Sequence, residues 1–126
     1  MAKRAPTNAE LEILRVLWQR GASTVRDVHE SLDHARPVGY TTVLKLLQIM
    51  VEKGLVRRDA SARSHVYTAV ASQEATQRRL VADLVRRVFG GSTLGLVLHA
   101  LSATPATRRE LEQIRRLFDK KNGGHR

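Results

Sequence analysis

Leu11, Leu14, Leu17 and Trp18 recur at intervals of three and four, the spacing that lines side chains along one face of an α-helix. Thr7-Asn8-Ala9-Glu10 stands at the head of this stripe. A threonine followed three residues later by glutamate satisfies two free backbone amides reciprocally, so a helix starts there, and Gly21 ends it. A second stripe, Val25, Val28 and Leu32, follows a Ser23 or Thr24 cap. The stretch from Asp33 to Gly39 contains Pro37 and reads as a loop, with Gly39 as the N-cap of a third helix that runs to about Lys53 and closes at Gly54.

This third helix has two working sides. Val43, Leu47 and Met50 follow one helical period, flanked by Leu44, Leu46 and Val51, while Thr41, Lys45, Gln48 and Glu52 follow the same period on another side. One face belongs to the core and the other is presented. After Gly54 the period shortens: LVRRD (55 to 59) and HVYTA (65 to 69) are alternating or β-branched, and the five residues between them form a hairpin tip. Three helices followed by a β-hairpin is the order of a winged helix-turn-helix, with Arg57, Arg58, Arg63 and His65 on or near the wing. Arg57 and Arg58 are neighbours on one strand and point to opposite faces, so at most one of them meets a ligand.

The remaining third is helical again. Leu80, Val81, Leu84, Val85 and Val88 form a double stripe after a Ser72 cap, and Gly90-Gly91 breaks it. Ser92 caps LGLVLHAL, apolar on nearly all sides, in which Leu94, Val97, Leu98 and Leu101 stand out. A last helix begins near Pro105 or the Thr107-x-x-Glu110 box and presents Leu111, Ile114, Leu117 and Phe118. So much apolar surface on three short helices calls for a partner, and a second copy of the chain is the natural one. The candidate dimer face therefore comprises Leu80, Leu84 and Val88, then Leu94, Val97, Leu98 and Leu101 of LGLVLHAL, and the four named residues of the last helix. The division expected is a winged helix-turn-helix DNA-binding domain over residues 1–71 and a helical dimerisation domain over 72–126, making the fold mainly α with a small hairpin.

Composition narrows the chemistry. With 126 residues, 42% of them apolar, the chain can bury a core, and the lack of cysteine excludes disulfides, thiolate metal sites and cysteine nucleophiles. No apolar run approaches the length of a membrane span, and Met1 to Pro6 is too short and too basic for a signal peptide, so a cytoplasmic protein without membrane insertion is expected. The balance of 22 Lys plus Arg against 12 Asp plus Glu gives a net charge of +10, which suits a polyanionic partner. The excess is spread over both halves, so pattern and not charge must locate the interface.

In a helix-turn-helix protein the early residues of the second motif helix reach base edges in the major groove. Thr42 can donate or accept at a base edge, Lys45 can reach guanine or a phosphate, and Gln48 can pair with adenine. Tyr40 and Thr41 sit where backbone phosphates pass, and Arg63 at the hairpin tip is placed for phosphate or minor groove. Asp27, His29, Asp33 and His34 lack the single-face spacing of a metal site, and His99 reads as a buried or interface histidine. There is no phosphate-binding glycine loop, no G-x-S-x-G and no H-E-x-x-H, so neither an enzyme nor a cofactor is expected. The competing reading is a winged-helix module that binds protein, but such a module would present large apolar or aromatic residues where this helix presents Thr41, Lys45 and Gln48.

The segments AELEILRVLWQRG, TVRDVHESL, YTTVLKLLQIMVEKGLV with its hairpin, and FGGSTLGLVLHAL leading into RELEQIRRLF resemble, over nearly the whole chain, the BlaI/MecI family of penicillinase and methicillin-resistance repressors. The resemblance implies a dimeric transcriptional repressor on an inverted-repeat operator of the TACA/TGTA type, with β-lactam or other stress-response genes under its control. By position, Thr41, Thr42 and Lys45 fall in the family's DNA-reading stretch, and Arg63 and Tyr67 in its wing. Many relatives carry threonine in place of Lys45 and arginine in place of Ile49. In the best-known relatives a membrane sensor metalloprotease triggers release by cleavage in the C-terminal lobe, and His99-Ala100 occupies the matching position here. The cysteine-rich tail of the copper-responsive relatives is missing.

Overall fold

The computed structural model describes residues 5–33, 37–61 and 63–123. Its elements are α1 (Asn8–Arg20), α2 (Val25–Asp33), α3 (Tyr40–Lys53), β1 (Val56–Asp59), β2 (Val66–Ala69), α4 (Gln73–Arg87), α5 (Thr93–Ala103) and α6 (Arg108–Gly123), the order of a winged helix-turn-helix followed by three helices. His34 to Arg36 of the loop before α3, and Ala62 of the hairpin tip, lie outside the described residues. The chain divides into two compact units, Met1–Leu80 and Val81–Arg126.

Helix starts follow from local chemistry. The Thr7 hydroxyl accepts the Glu10 amide at 3.2 Å while the Glu10 carboxylate accepts the Thr7 amide at 2.8 Å, closing the capping box. Of the two residues that could open α2, Thr24 is the cap: its hydroxyl accepts the Asp27 amide at 3.1 Å and the Asp27 carboxylate accepts the Thr24 amide at 3.0 Å. Ser23 is buried and extends the sheet instead, exchanging backbone hydrogen bonds of 3.0 and 2.8 Å with Tyr67. At the far end of α3, Gly54 takes a left-handed conformation (φ 79°) that lets the chain leave the helix and enter β1 at once.

The core of the first unit joins Ile13, Leu14 and Leu17 of α1, Val28 and Leu32 of α2, Val43, Leu47 and Met50 of α3, and Leu55, Val56 and Tyr67 at the hairpin. Leu11 and Trp18, which the periodicity places on the α1 stripe, are only partly buried and flank it. The antiparallel hairpin pairs Val56 with Ala69, Arg57 with Thr68, Arg58 with Tyr67 and Asp59 with Val66. One charged pair lies within this core: Lys53 Nζ of α3 donates to Glu10 Oε1 of α1 at 2.7 Å, with the side chains 8% and 2% exposed. The Glu10 carboxylate thus completes the α1 cap and ties the start of α1 to the end of α3. Burial would raise its pKa, but the hydrogen bonds from Lys53 and Thr7 and the lysine charge outweigh that and hold it below the usual carboxylate value.

Beyond β2 the Ser72 hydroxyl accepts the Ala75 amide at 3.1 Å and starts α4, and Ser92 does the same for α5 through the Gly95 amide at 2.9 Å. Gly90 and Gly91, at φ 57° and 88°, make the turn between them. The last helix starts at Thr107 and not at Pro105: the Thr107 amide donates to Glu110 at 3.0 Å and the Glu110 amide to the Thr107 hydroxyl at 3.1 Å. None of the described side chains from residue 72 to 121 is buried. Val88, Leu94, Leu98, Leu117 and Phe118 are each more than half exposed.

Candidate nucleic-acid interface

Gly39 enters α3 from an extended conformation and, having no side chain, makes no cap hydrogen bond; the first turn also holds no acidic residue. Among the described residues no side chain caps the leading amides of α3, and no acid in its first turn opposes the positive end of the helix dipole. Tyr40 begins the helix half-exposed, its ring edge-on against His29 of α2 with centroids 5.8 Å apart. Thr41, Thr42, Lys45 and Gln48 are all exposed, while Val43, Leu47 and Met50 on the other side are fully buried. The two-sided pattern thus becomes a helix clamped along one ridge and open along the other.

On the hairpin Arg57, Arg58 and Arg63 are exposed. The Asp59 carboxylate accepts the Ser61 hydroxyl at 2.7 Å and the Ser61 amide at 2.9 Å, closing a side-chain turn at the end of β1. Those hydrogen bonds, from the side chain first and then the backbone, lower the Asp59 pKa. Neither this turn nor the His29–Tyr40 contact was anticipated from the sequence, although an aspartate two residues before a serine is a recognisable turn signal.

Tyr67 requires correction. Expected in the wing as a DNA contact, it is 1% exposed, with its backbone held between Ser23 and Arg58. It anchors the hairpin to the core and cannot reach a nucleic acid. Asp27 is likewise occupied, accepting the Thr24 amide in the α2 capping box with Arg20 3.6 Å away, and no grouping of metal-ligating side chains occurs among the described residues; His34 lies outside them. His99, expected to be buried or at an interface, is exposed in the single chain. Its Nδ1 lies 2.9 Å from the Gly95 carbonyl oxygen and its ring 5.4 Å from that of Phe89. The bond to Ala100 is inside α5. No described helix is long and apolar enough to cross a membrane.

Comparison with known proteins accords with this arrangement. The sequence model of the family described as penicillinase repressor matches residues 6–120. The transcriptional regulator BlaI of Mycobacterium tuberculosis is 31% identical over 118 residues, covering 92% of this chain and 84% of that protein. The methicillin resistance regulatory protein MecI of Staphylococcus epidermidis is 18% identical over 91% of this chain and 94% of its own length. Among solved structures, the DNA-binding domain of the repressor BlaI superposes with a TM-score of 0.50 at 25% identity, covering 56% of this chain and 89% of that domain. The family model spans almost the full length and the solved domain matches over the winged-helix part, and the chain belongs to the penicillinase repressor family.

Proposed function

We propose that the protein is a cytoplasmic, sequence-specific DNA-binding transcriptional repressor that acts as a homodimer on an inverted-repeat operator. The observation that carries this reading is the open ridge of α3, where Thr41, Thr42, Lys45 and Gln48 are exposed above a buried Val43, Leu47 and Met50, beside a hairpin bearing exposed arginines. In this reading residues 1–71 hold the DNA-binding domain. Thr42, Lys45 and Gln48 meet base edges, Tyr40, Thr41 and the leading α3 amides meet phosphate, and Arg63 secures the wing. The M. tuberculosis relative is a transcriptional regulator and the matched solved domain is a DNA-binding domain, which supports the same assignment.

The dimer follows from the second half. Helices α4 to α6 expose Leu84, Val88, Leu94, Leu98, Leu117 and Phe118 and bury none of their described side chains within one chain, so residues 72–126 gain their apolar core from a twin. Sedimentation at micromolar concentration should give twice the 14.1 kDa chain mass. A monomer under those conditions rules the dimer out. Two half-sites read together supply the discrimination that one short helix lacks. Cleavage at His99-Ala100 by a membrane sensor metalloprotease would require local unwinding of α5.

The test is selection of bound fragments from genomic DNA, followed by fluorescence anisotropy on the selected duplex. Thr42→Ala should lower discrimination at one base pair per half-site by roughly fivefold. Arg63→Ala should weaken all duplexes alike and reduce the salt slope by about one per site. If Thr42→Ala leaves both affinity and base preference untouched, α3 is not the reading helix.

A further inference from the structure

We propose that Ile49 determines specificity by reading the C5-methyl group of a thymine in the operator, an assignment that rests on the repressor function above. Every other aliphatic side chain of α3 from Val43 to Val51 is engaged below the helix: Val43, Leu47 and Met50 are fully buried, and Leu44, Leu46 and Val51 pack against the core from its margin. Ile49 alone lies outside that core cluster and is 44% exposed. It follows Thr42 by seven residues and Lys45 by four, so all three stand on one ridge of the helix.

Nothing local accounts for an isoleucine there. Isoleucine is a weaker helix former than leucine, lysine or glutamine, and the exposed positions around it, Thr41, Thr42, Lys45, Gln48 and Glu52, are polar. A lone apolar side chain within a polar ring is too small a patch to hold a protein partner. In the major groove the base edges are hydrogen-bonding groups, with one apolar exception, the thymine methyl. Isoleucine against that methyl removes apolar surface from water on both molecules. Cytosine carries no methyl at that position and the apolar contact is lost, so thymine is favoured over cytosine at this step. Because Ile49 lies one turn beyond Lys45, the thymine belongs on the side of the half-site away from the α3 N-terminus.

The experiment uses the full-length protein and a duplex selected from a random library by the wild type. Each thymine of the half-site is replaced in turn by deoxyuridine, which deletes only the methyl group, and dissociation constants are measured for wild type and Ile49→Ala. At one thymine per half-site, deoxyuridine should weaken the wild type about threefold to fourfold per half-site while leaving Ile49→Ala unaffected. Equal sensitivity of the two proteins at every thymine overturns the inference and leaves the repressor reading standing. If the wild type selects no sequence at all, both fall together. Ile49→Ala should keep the wild-type melting temperature within a few degrees, because the side chain it removes is 44% exposed and lies outside the core cluster.

Discussion

Glu10→Ala is expected to destabilise the chain by about 3–5 kcal/mol, read as a fall in the urea midpoint without a change of slope. The reason is double. The substitution removes the acceptor of the Thr7 amide, and it strands Lys53, whose ammonium is 2.7 Å from Glu10 and nearly out of solvent. An unpaired buried charge is far worse than no pair at all, so Glu10→Ala should exceed the double change Glu10→Ala, Lys53→Met. Total stabilities of such domains are about 5–15 kcal/mol, which makes this a large fraction. The pH dependence has a definite sign. Because the folded carboxyl titrates below its ordinary value of 4.5, the stabilisation is fully present above that pH and is lost as pH falls through the lower folded value. The difference between wild type and Glu10→Gln should therefore narrow on acidification. A constant difference down to complete protonation would show that the pair contributes nothing through charge.

Affinity for duplex DNA should fall by roughly 10³ to 10⁵ between 50 and 200 mM salt, the behaviour of a protein that neutralises about 6 to 10 phosphates. The expectation rests on the net charge of +10 and on the proposed phosphate contacts at the start of α3, where Gly39 supplies no side-chain cap. Surface ion pairs already included in that net value place part of the neutralisation on α4, where Arg78 is paired with Glu74 and both Arg86 and Arg87 with Asp83. Anisotropy titrations at four or five salt concentrations give the slope directly. A slope near zero would mean that the basic surface does not meet the backbone, and would favour the protein-binding alternative.

Local signals were the readable ones. The Thr7-Glu10 and Thr107-Glu110 boxes, the Ser72 and Ser92 caps and the glycines at 21, 54, 90 and 91 each encode a helix boundary within four residues of chain, and the structure forms each of them. The two faces of α3 were equally plain, since helical periodicity assigns them without knowledge of any neighbour. What escaped depends on distant partners. Glu10 and Lys53 are 43 residues apart, and nothing in either neighbourhood announces the pair. Tyr67 lies in a short alternating run whose inward face is decided by Ser23, itself taken for a possible cap until the sheet claims it. Ile49 differs again: its position on the polar ridge is visible in the sequence, but its failure to join the core is a fact of packing.

Trp18 is the chain's single tryptophan, and its indole N–H donates to the Ala71 carbonyl at 2.9 Å, across 53 residues, just ahead of α4. The ring is therefore a native fluorophore within the first unit, tied to the chain just beyond β2. Its emission can follow the unfolding of that unit without an engineered label. Because the second half of the chain contains no tryptophan, that signal is silent about its unfolding, which circular dichroism would follow alongside.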